Sequence, residues 1–283
     1  VLLCNLLGWE YEWHEEATGD SPRTASPVLG VEKARAGALD AFWERARHSK
    51  THESYVEVIE GKADLILVAR EPSSDELKLL AERRVALDVQ PLAWDALVFV
   101  VNRNNPITSL TIEQIRESYS GKPMTWEALG GKGAESVKPL ARNENSGSHE
   151  LFKKLVMGDR KIVAEKSDII PTMMGVIDRV GNGPNDLGYS VFYYVQFMIG
   201  IGETKPIVTS IFPTATPPQI KTIGINGVTP DQRTIANGTY PLREPVYVVL
   251  RKDALPAAVQ LRDWLLSSEG QKIVAESGYV TWK

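Results

Sequence analysis

The segment Arg142-Asn143-Glu144-Asn145-Ser146-Gly147-Ser148 runs directly into a helical pattern that contains Leu151, Phe152 and Leu155. Residue types and order here suit anion capture. A helix start presents backbone N–H groups with no intrahelical acceptor, at the positive end of the helix dipole. Gly147 lets a backbone approach closely, Ser146 and Ser148 add hydroxyl donors, and Arg142 can supply a two-pronged guanidinium. The same serines also suit a plain helix cap, and the pattern taken alone favours that simpler role.

A second polar loop, Ser49-Lys50-Thr51-His52-Glu53, also precedes a helical stretch. His48 and His52 are spaced for one helix face, but no third ligand is indicated, so a metal site is not expected. Thr51 is read as a cap or an anion contact. Nucleophile-elbow, Walker, H-E-x-x-H and G-x-G-x-x-G patterns do not occur, so no catalytic constellation and no cofactor is expected. Gly181-Asn182-Gly183 reads as a turn.

Composition narrows the partners. The 283 residues carry 32 Lys+Arg against 36 Asp+Glu, a net charge of −4, so a basic surface for nucleic acid is not expected. Hydrophobic residues at 43% and charged residues at 24% are ordinary globular values. No apolar run is long enough to span a bilayer. A single cysteine, Cys4, excludes a disulfide framework within the chain. Val1–Gly8 is mostly apolar and looks like the start of a mature or trimmed chain. Leu3 is too large for a lipoprotein cleavage site before Cys4, so a buried strand or helix turn is the preferred reading there.

The elements that must position these loops alternate between strand and helix. Val31–Arg47 and Tyr55–Ile59 read as helices. Ala63–Ala69 reads as a strand buried on both faces of a parallel sheet, Ser73 to Glu76 as a capping box, and Val85–Val89 and Leu97–Val101 as two further strands. Thr111 and Gln114 cap a helix that stops at Gly121, and Leu151–Met157 is helical. Tyr189–Met198 fits helix and strand equally. Thr229, with Pro230 and Gln232, opens a short helix; Pro245–Leu250 is a strand; Pro256–Leu266 and Glu269–Ser277 close the chain as helices. The fold class is therefore α/β, as two lobes, the second inserted into the first. Lobe 1 is expected over 1–101 and 245–283 and lobe 2 over 102–244, hinged near Val101–Arg103 and Glu244–Val246.

Several of these residues together resemble a known family, the phosphate-binding proteins of bacterial ABC transporters, of the type II periplasmic-binding-protein fold. The resemblance rests on Arg142 followed by Ser146-Gly147-Ser148, and on Leu110-Thr111-x-x-Gln114-Ile115 followed by Tyr119-Ser120-Gly121 and Trp126. Gly188-Tyr189-Ser190 followed by aromatics, Tyr240-Pro241-Leu242, and the run from Trp264 to Gln271 add to it. These matches run in the family's order from about Asp20 to the C-terminus.

The resemblance implies a two-lobed fold with a ligand cleft between the lobes. It implies Arg142, Ser146, Gly147 and Ser148 as contacts from one lobe and Thr51 from the other, and so raises the anion cradle above the plain cap. Two positions depart from the family. Its first loop often has Thr-aromatic-Pro, where this chain has Ala25-Ser26-Pro27, and Ser26 retains a hydroxyl there. Where well-known members place an Asp that accepts the ligand's proton, this chain has Ala69 or Arg70. Arg70 adds positive charge but accepts no proton, which leaves Glu71 or Glu144 to restore selectivity for phosphate.

The expected function is an extracytoplasmic, cell-surface or periplasmic receptor, not an enzyme. It would capture phosphate as a monomer and deliver it to a separate permease and ATPase, with the N-terminus as a candidate anchor. The rival readings are a general oxyanion receptor, an extracellular sensor or adhesion module on the same fold, and a phosphate-ester hydrolase.

Overall fold

The structure, a computed structural model, describes residues 50–144, 146–198 and 218–282. Cys4, Ser26, His48 and the Val31–Arg47 helix lie outside the described residues. Within them, helix α1 (Thr51–Ile59) leads into strand β1 (Leu65–Val68), helix α2 (Ser74–Arg83) and a strand of 16 residues, β2 (Leu87–Asn102). Next come β3 (Ser109–Leu110), α3 (Ile112–Tyr119), β4 (Lys138–Pro139) and β5 (Ala141–Arg142). Helix α4 (Gly147–Phe152) continues as a π-helical turn over Lys153–Met157. It is followed by β6 (Ile169–Ile170), α5 (Met173–Asn182), β7 (Asp186–Val191) and a second π-helical turn, Tyr194–Met198. The chain resumes with β8 (Ile220–Ile225), α6 (Gln232–Ala236), β9 (Arg243–Arg251), α7 (Pro256–Leu266), α8 (Ser268–Glu276) and β10 (Val280–Thr281).

Strand β2 organises the molecule. From Leu87 to Ala96 it pairs antiparallel with β9; from Leu97 to Val101 it pairs with β7 on one side, and its last residues pair with β8. The hydrophobic core changes with the pairing. The first part of the sheet has a cluster on each face. Tyr55, Val58, Ile66, Val68, Tyr247 and Val249 form one, and Leu92, Val246, Val248, Leu265 and Val274 form the other. Residues Ala96–Val101 belong to a third, larger cluster with α3, α4, α5, β7 and β8. At the crossing, the buried Asp95 carboxylate accepts from Ala96 N (2.8 Å) and Tyr193 N (3.0 Å), tying β2 to the turn after β7.

Three expectations are corrected. The apolar run Ala63–Ala69 forms strand β1, which pairs antiparallel with β9, not in parallel, and stands at the edge of the sheet among the described residues. Its residues are apolar on both faces because a cluster covers each face of the sheet. Val85–Val89 and Leu97–Val101 are not separate strands: both belong to β2, which carries Pro91 through a register shift between Pro91 and Ala93. Proline has no N–H for the ladder and is tolerated at such a bulge. The helix after Val228 is capped by Asp231, not Thr229: Asp231 Oδ1 accepts from Thr234 N at 2.7 Å while Thr234 Oγ1 accepts from Asp231 N at 3.0 Å. The ambiguous Tyr189–Met198 is strand to Val191 and helical afterwards. Among the described residues no helix is long and apolar enough to cross a membrane.

A packed aromatic group holds α4 against the sheet. Phe152 stacks on Tyr189 with centroids 4.5 Å apart and meets Tyr119 edge-on at 4.6 Å. Tyr119 also donates to the Leu187 carbonyl at 2.8 Å. Tight approach of α5 to β7 requires Gly188, where a Cβ would lie 2.6 Å from a Val176 methyl. Phe152→Ala is expected to cost about 3–5 kcal/mol, as fully buried aromatics do. Urea unfolding checks this, and a cost under about 1 kcal/mol would mean that the group does not carry the packing.

Candidate functional site

The loop between β5 and α4 is locally self-supporting. Ser146 is the N-cap of α4: its Oγ accepts from His149 N at 3.2 Å, and its own N–H donates to the Asn143 carbonyl at 3.0 Å. One serine therefore takes the capping role. The other does not: the Ser148 hydroxyl is buried with no hydrogen-bond partner among the described residues. Gly147 and Ser148 are the first residues of the helix, where backbone N–H groups lack intrahelical acceptors.

Arg142 sits at the end of β5, which pairs parallel with β6. Its backbone is clamped: its N–H donates to the Tyr189 hydroxyl at 2.9 Å, and its backbone hydrogen-bonds the His149 ring, whose Nδ1 lies 3.4 Å from the same hydroxyl. Burial pushes the His149 pKa down, which keeps the imidazole neutral at pH 7. Arg142 is 8% exposed, and its guanidinium Nε and Nη1 are buried without a hydrogen-bond partner among the described residues. Burial also pushes its pKa down, opposed by Tyr189 and Tyr194. No carboxylate among the described residues pairs with it. A guanidinium cannot shed its proton in a protein, and an unpaired buried charge is costly. The chemistry this arrangement can perform is the capture of an anion. Two further buried polar atoms without a hydrogen-bond partner are Asn143 Oδ1, an acceptor in the same loop, and the hydroxyl of Tyr194.

Thr51, the first residue of α1, reaches this loop from a helix whose Tyr55, Val58 and Ile59 pack in a different hydrophobic cluster. Its Oγ1 lies 3.2 Å from where a Cβ on Gly147 would sit, so a larger residue at Gly147 would press on it. The loop and Thr51 thus lie side by side.

Arg70 is placed otherwise. Its Nη1 and Nη2 donate to the two carboxylate oxygens of Glu76 at 2.7 and 2.8 Å, and Nη1 also donates to the Glu71 carbonyl at 2.9 Å. Glu76 is fully buried and is bonded further by Ser73 N (2.7 Å) and by His52 Nδ1 (3.0 Å). Only Nε of Arg70 is left without a hydrogen-bond partner. Its charge is therefore matched by Glu76, whereas that of Arg142 is not. The network reaches α1 at His52, the neighbour of Thr51, and again where the Tyr55 hydroxyl donates to the Arg70 carbonyl at 2.8 Å. Glu71 and Glu144 are both exposed.

Sequence reasoning gave no positioning role to Tyr189, His149 or Glu76. Tyr189 was within reach, since it belongs to the Gly188-Tyr189-Ser190 run. The partners of His149 and Glu76 depend on side-chain placement that spacing does not encode.

Comparison with known proteins bears on this geometry. A model of the PBP superfamily domain matches residues 49–269. The phosphate-binding protein PstS of Staphylococcus saprophyticus is 25% identical over 272 residues, covering 94% of this chain and 80% of its own length. That of Staphylococcus aureus is 24% identical over 278 residues, covering 94% and 78%. An ABC-type phosphate transport receptor from Vibrio cholerae superposes with a TM-score of 0.62 at 21% identity, covering 88% of this chain and 96% of the other. PstS from Borrelia burgdorferi superposes with a TM-score of 0.54 at 19% identity, covering 88% and 87%. These structures share the two-lobed α/β fold. With the model matching most of its length, this chain belongs to the PBP superfamily.

Proposed function

We propose that this protein is an extracytoplasmic receptor that captures inorganic phosphate, as a monomer and without catalysis, for a separate permease and ATPase of an ABC transporter. The observation that carries this reading is the buried Arg142 guanidinium, which has no counter-ion among the described residues and stands at the head of a loop whose Ser148 hydroxyl is also unpartnered. The names and functions of the relatives support the choice of phosphate and of an ABC transporter. Arg142, Ser146, Gly147 and Ser148 would hold the anion from one lobe and Thr51 from the other. Ser26 adds a hydroxyl from the first loop, and Nε of Arg70 is available as a charge-compensated donor. The change of partner along β2 supports a lobe boundary between Ala96 and Leu97, a little ahead of Val101, with the return crossing at Arg243–Glu244 on β9.

Phosphate at neutral pH retains a proton and needs an acceptor, whereas sulfate does not. Among the described residues, Asn143 Oδ1 is an unpartnered acceptor in the loop itself. Competition of sulfate against labelled phosphate in equilibrium dialysis tests the choice. Displacement only by a large excess of sulfate fits a phosphate receptor; equal displacement makes this a general oxyanion receptor.

The two serines have separable roles. Ser148→Ala is expected to weaken phosphate binding by about 1.5–3 kcal/mol, the value of a hydrogen bond to a charged group, with little change in unfolding. Ser146→Ala is expected to lower stability by about 0.5–2 kcal/mol through loss of the cap. Titration and urea unfolding of both variants check this, and a reversed pattern would contradict the assignment.

A further inference from the structure

The helix that begins at the anion loop is contacted by Thr51 of α1 and by Glu244, which stands where β9 crosses between the lobes. Gly147 lies against Thr51 Oγ1, and seven positions on, two helical turns later, Lys154 forms an ion pair with Glu244 of β9. Glu150, between them at helical spacing, lies within the electrostatic reach of Arg70. Positions 147 and 150 are neighbours on one face of α4, and Lys154 follows on the π-helical turn that continues it. The helix interior, Leu151, Phe152 and Val156, belongs to the large cluster, whereas α1 and Arg70 pack with the first part of the sheet.

We infer that Lys154 and Glu244 are positioning residues for anion capture: their ion pair holds the anion-loop helix against β9 and so sets the population of the closed, binding-competent arrangement. This inference rests on the receptor reading above and names residues that touch no ligand. The two partners are unequally buried, with the Glu244 side chain 6% exposed and that of Lys154 50% exposed. Burial pushes the Glu244 carboxyl up, Lys154 opposes this, and the like charge of Glu71 adds to it. Without Lys154, a closed cleft encloses a desolvated carboxylate beside another carboxylate, and opening rehydrates it. The pair therefore stabilises the closed arrangement more than the open one, which is the condition for a population shift. Apparent affinity falls in proportion to the competent fraction.

The test measures closure and binding separately. In Cys4→Ser protein, spin labels at Lys78→Cys and Lys161→Cys report the distance between the two sides of the cleft without any anion. Lys154→Met is expected to shift that distribution toward longer distances. It should also weaken phosphate binding roughly tenfold, mainly through faster release, and Lys154→Arg should restore both. An unchanged distance distribution together with unchanged release would overturn the inference. Failure of the receptor reading shows differently: the distance shift appears in Lys154→Met while the parent protein takes up no phosphate, and the role in capture is then overturned along with that reading.

Discussion

Arg142→Met is expected to weaken phosphate binding by about 2–5 kcal/mol, which is roughly thirtyfold to several thousandfold. The same change is expected to make the anion-free protein more stable. Both signs follow from one fact: Nε and Nη1 of this guanidinium are buried with no hydrogen-bond partner among the described residues. In the bound state the anion supplies the missing charge and acceptors. In the empty state the charge has no counter-ion among the described residues, and replacing it with an apolar side chain of similar length removes the cost of burying it. Calorimetric titration measures the first effect and urea unfolding of anion-stripped protein the second. An arginine that merely braced the fold would give the opposite pair, unchanged affinity with lowered stability.

Glu76→Ala is expected to lower stability by about 3–5 kcal/mol, because it strands the Arg70 guanidinium in a buried position. Glu76 is itself fully buried, and desolvation alone would raise its pKa. The bonds from Arg70, from Ser73 N–H and from His52 outweigh that, and its carboxyl is held below the ordinary range. A depressed carboxyl pKa contributes stability that is fully present above the unfolded value of about 4.5 and is lost as pH falls through the folded value. Wild-type stability should therefore fall steeply below about pH 4.5, and Glu76→Gln should flatten that acid limb. Urea midpoints measured at a series of pH values decide it. Parallel acid limbs in the two proteins would show that the carboxylate adds no pH-dependent stability.

Local signals were legible in the sequence and long-range ones were not. Thr111 and Gln114 cap α3 as their spacing predicts, and Pro256 opens α7, because capping is settled within one turn of chain. The loop proposed to hold the anion could be picked out for the same reason: Arg142 to Ser148 is a single contiguous strand-to-helix turn. Strand direction was not, since an apolar run such as Ala63–Ala69 specifies burial but neither partner nor polarity. Two short apolar runs read as two strands, whereas β2 runs through both with a register shift beside Pro91.

Which serine caps and which stays free depends on rotamers. Glu76 illustrates a further limit: its spacing from Ser73 marked a helix start, and it does bond Ser73 N–H, yet its larger role is to neutralise Arg70. The pairing of Lys154 with Glu244 joins residues 90 positions apart, a separation at which no spacing rule operates.

The central claim is that the uncompensated Arg142 is the seat of an anion. Calorimetric titration of anion-stripped protein with phosphate at neutral pH, run in parallel on the parent and on Arg142→Met, tests it most directly. The account predicts saturable one-to-one uptake by the parent, and binding at least thirtyfold weaker in the variant. Folded parent protein that takes up no phosphate, or a variant that binds as the parent does, would contradict it.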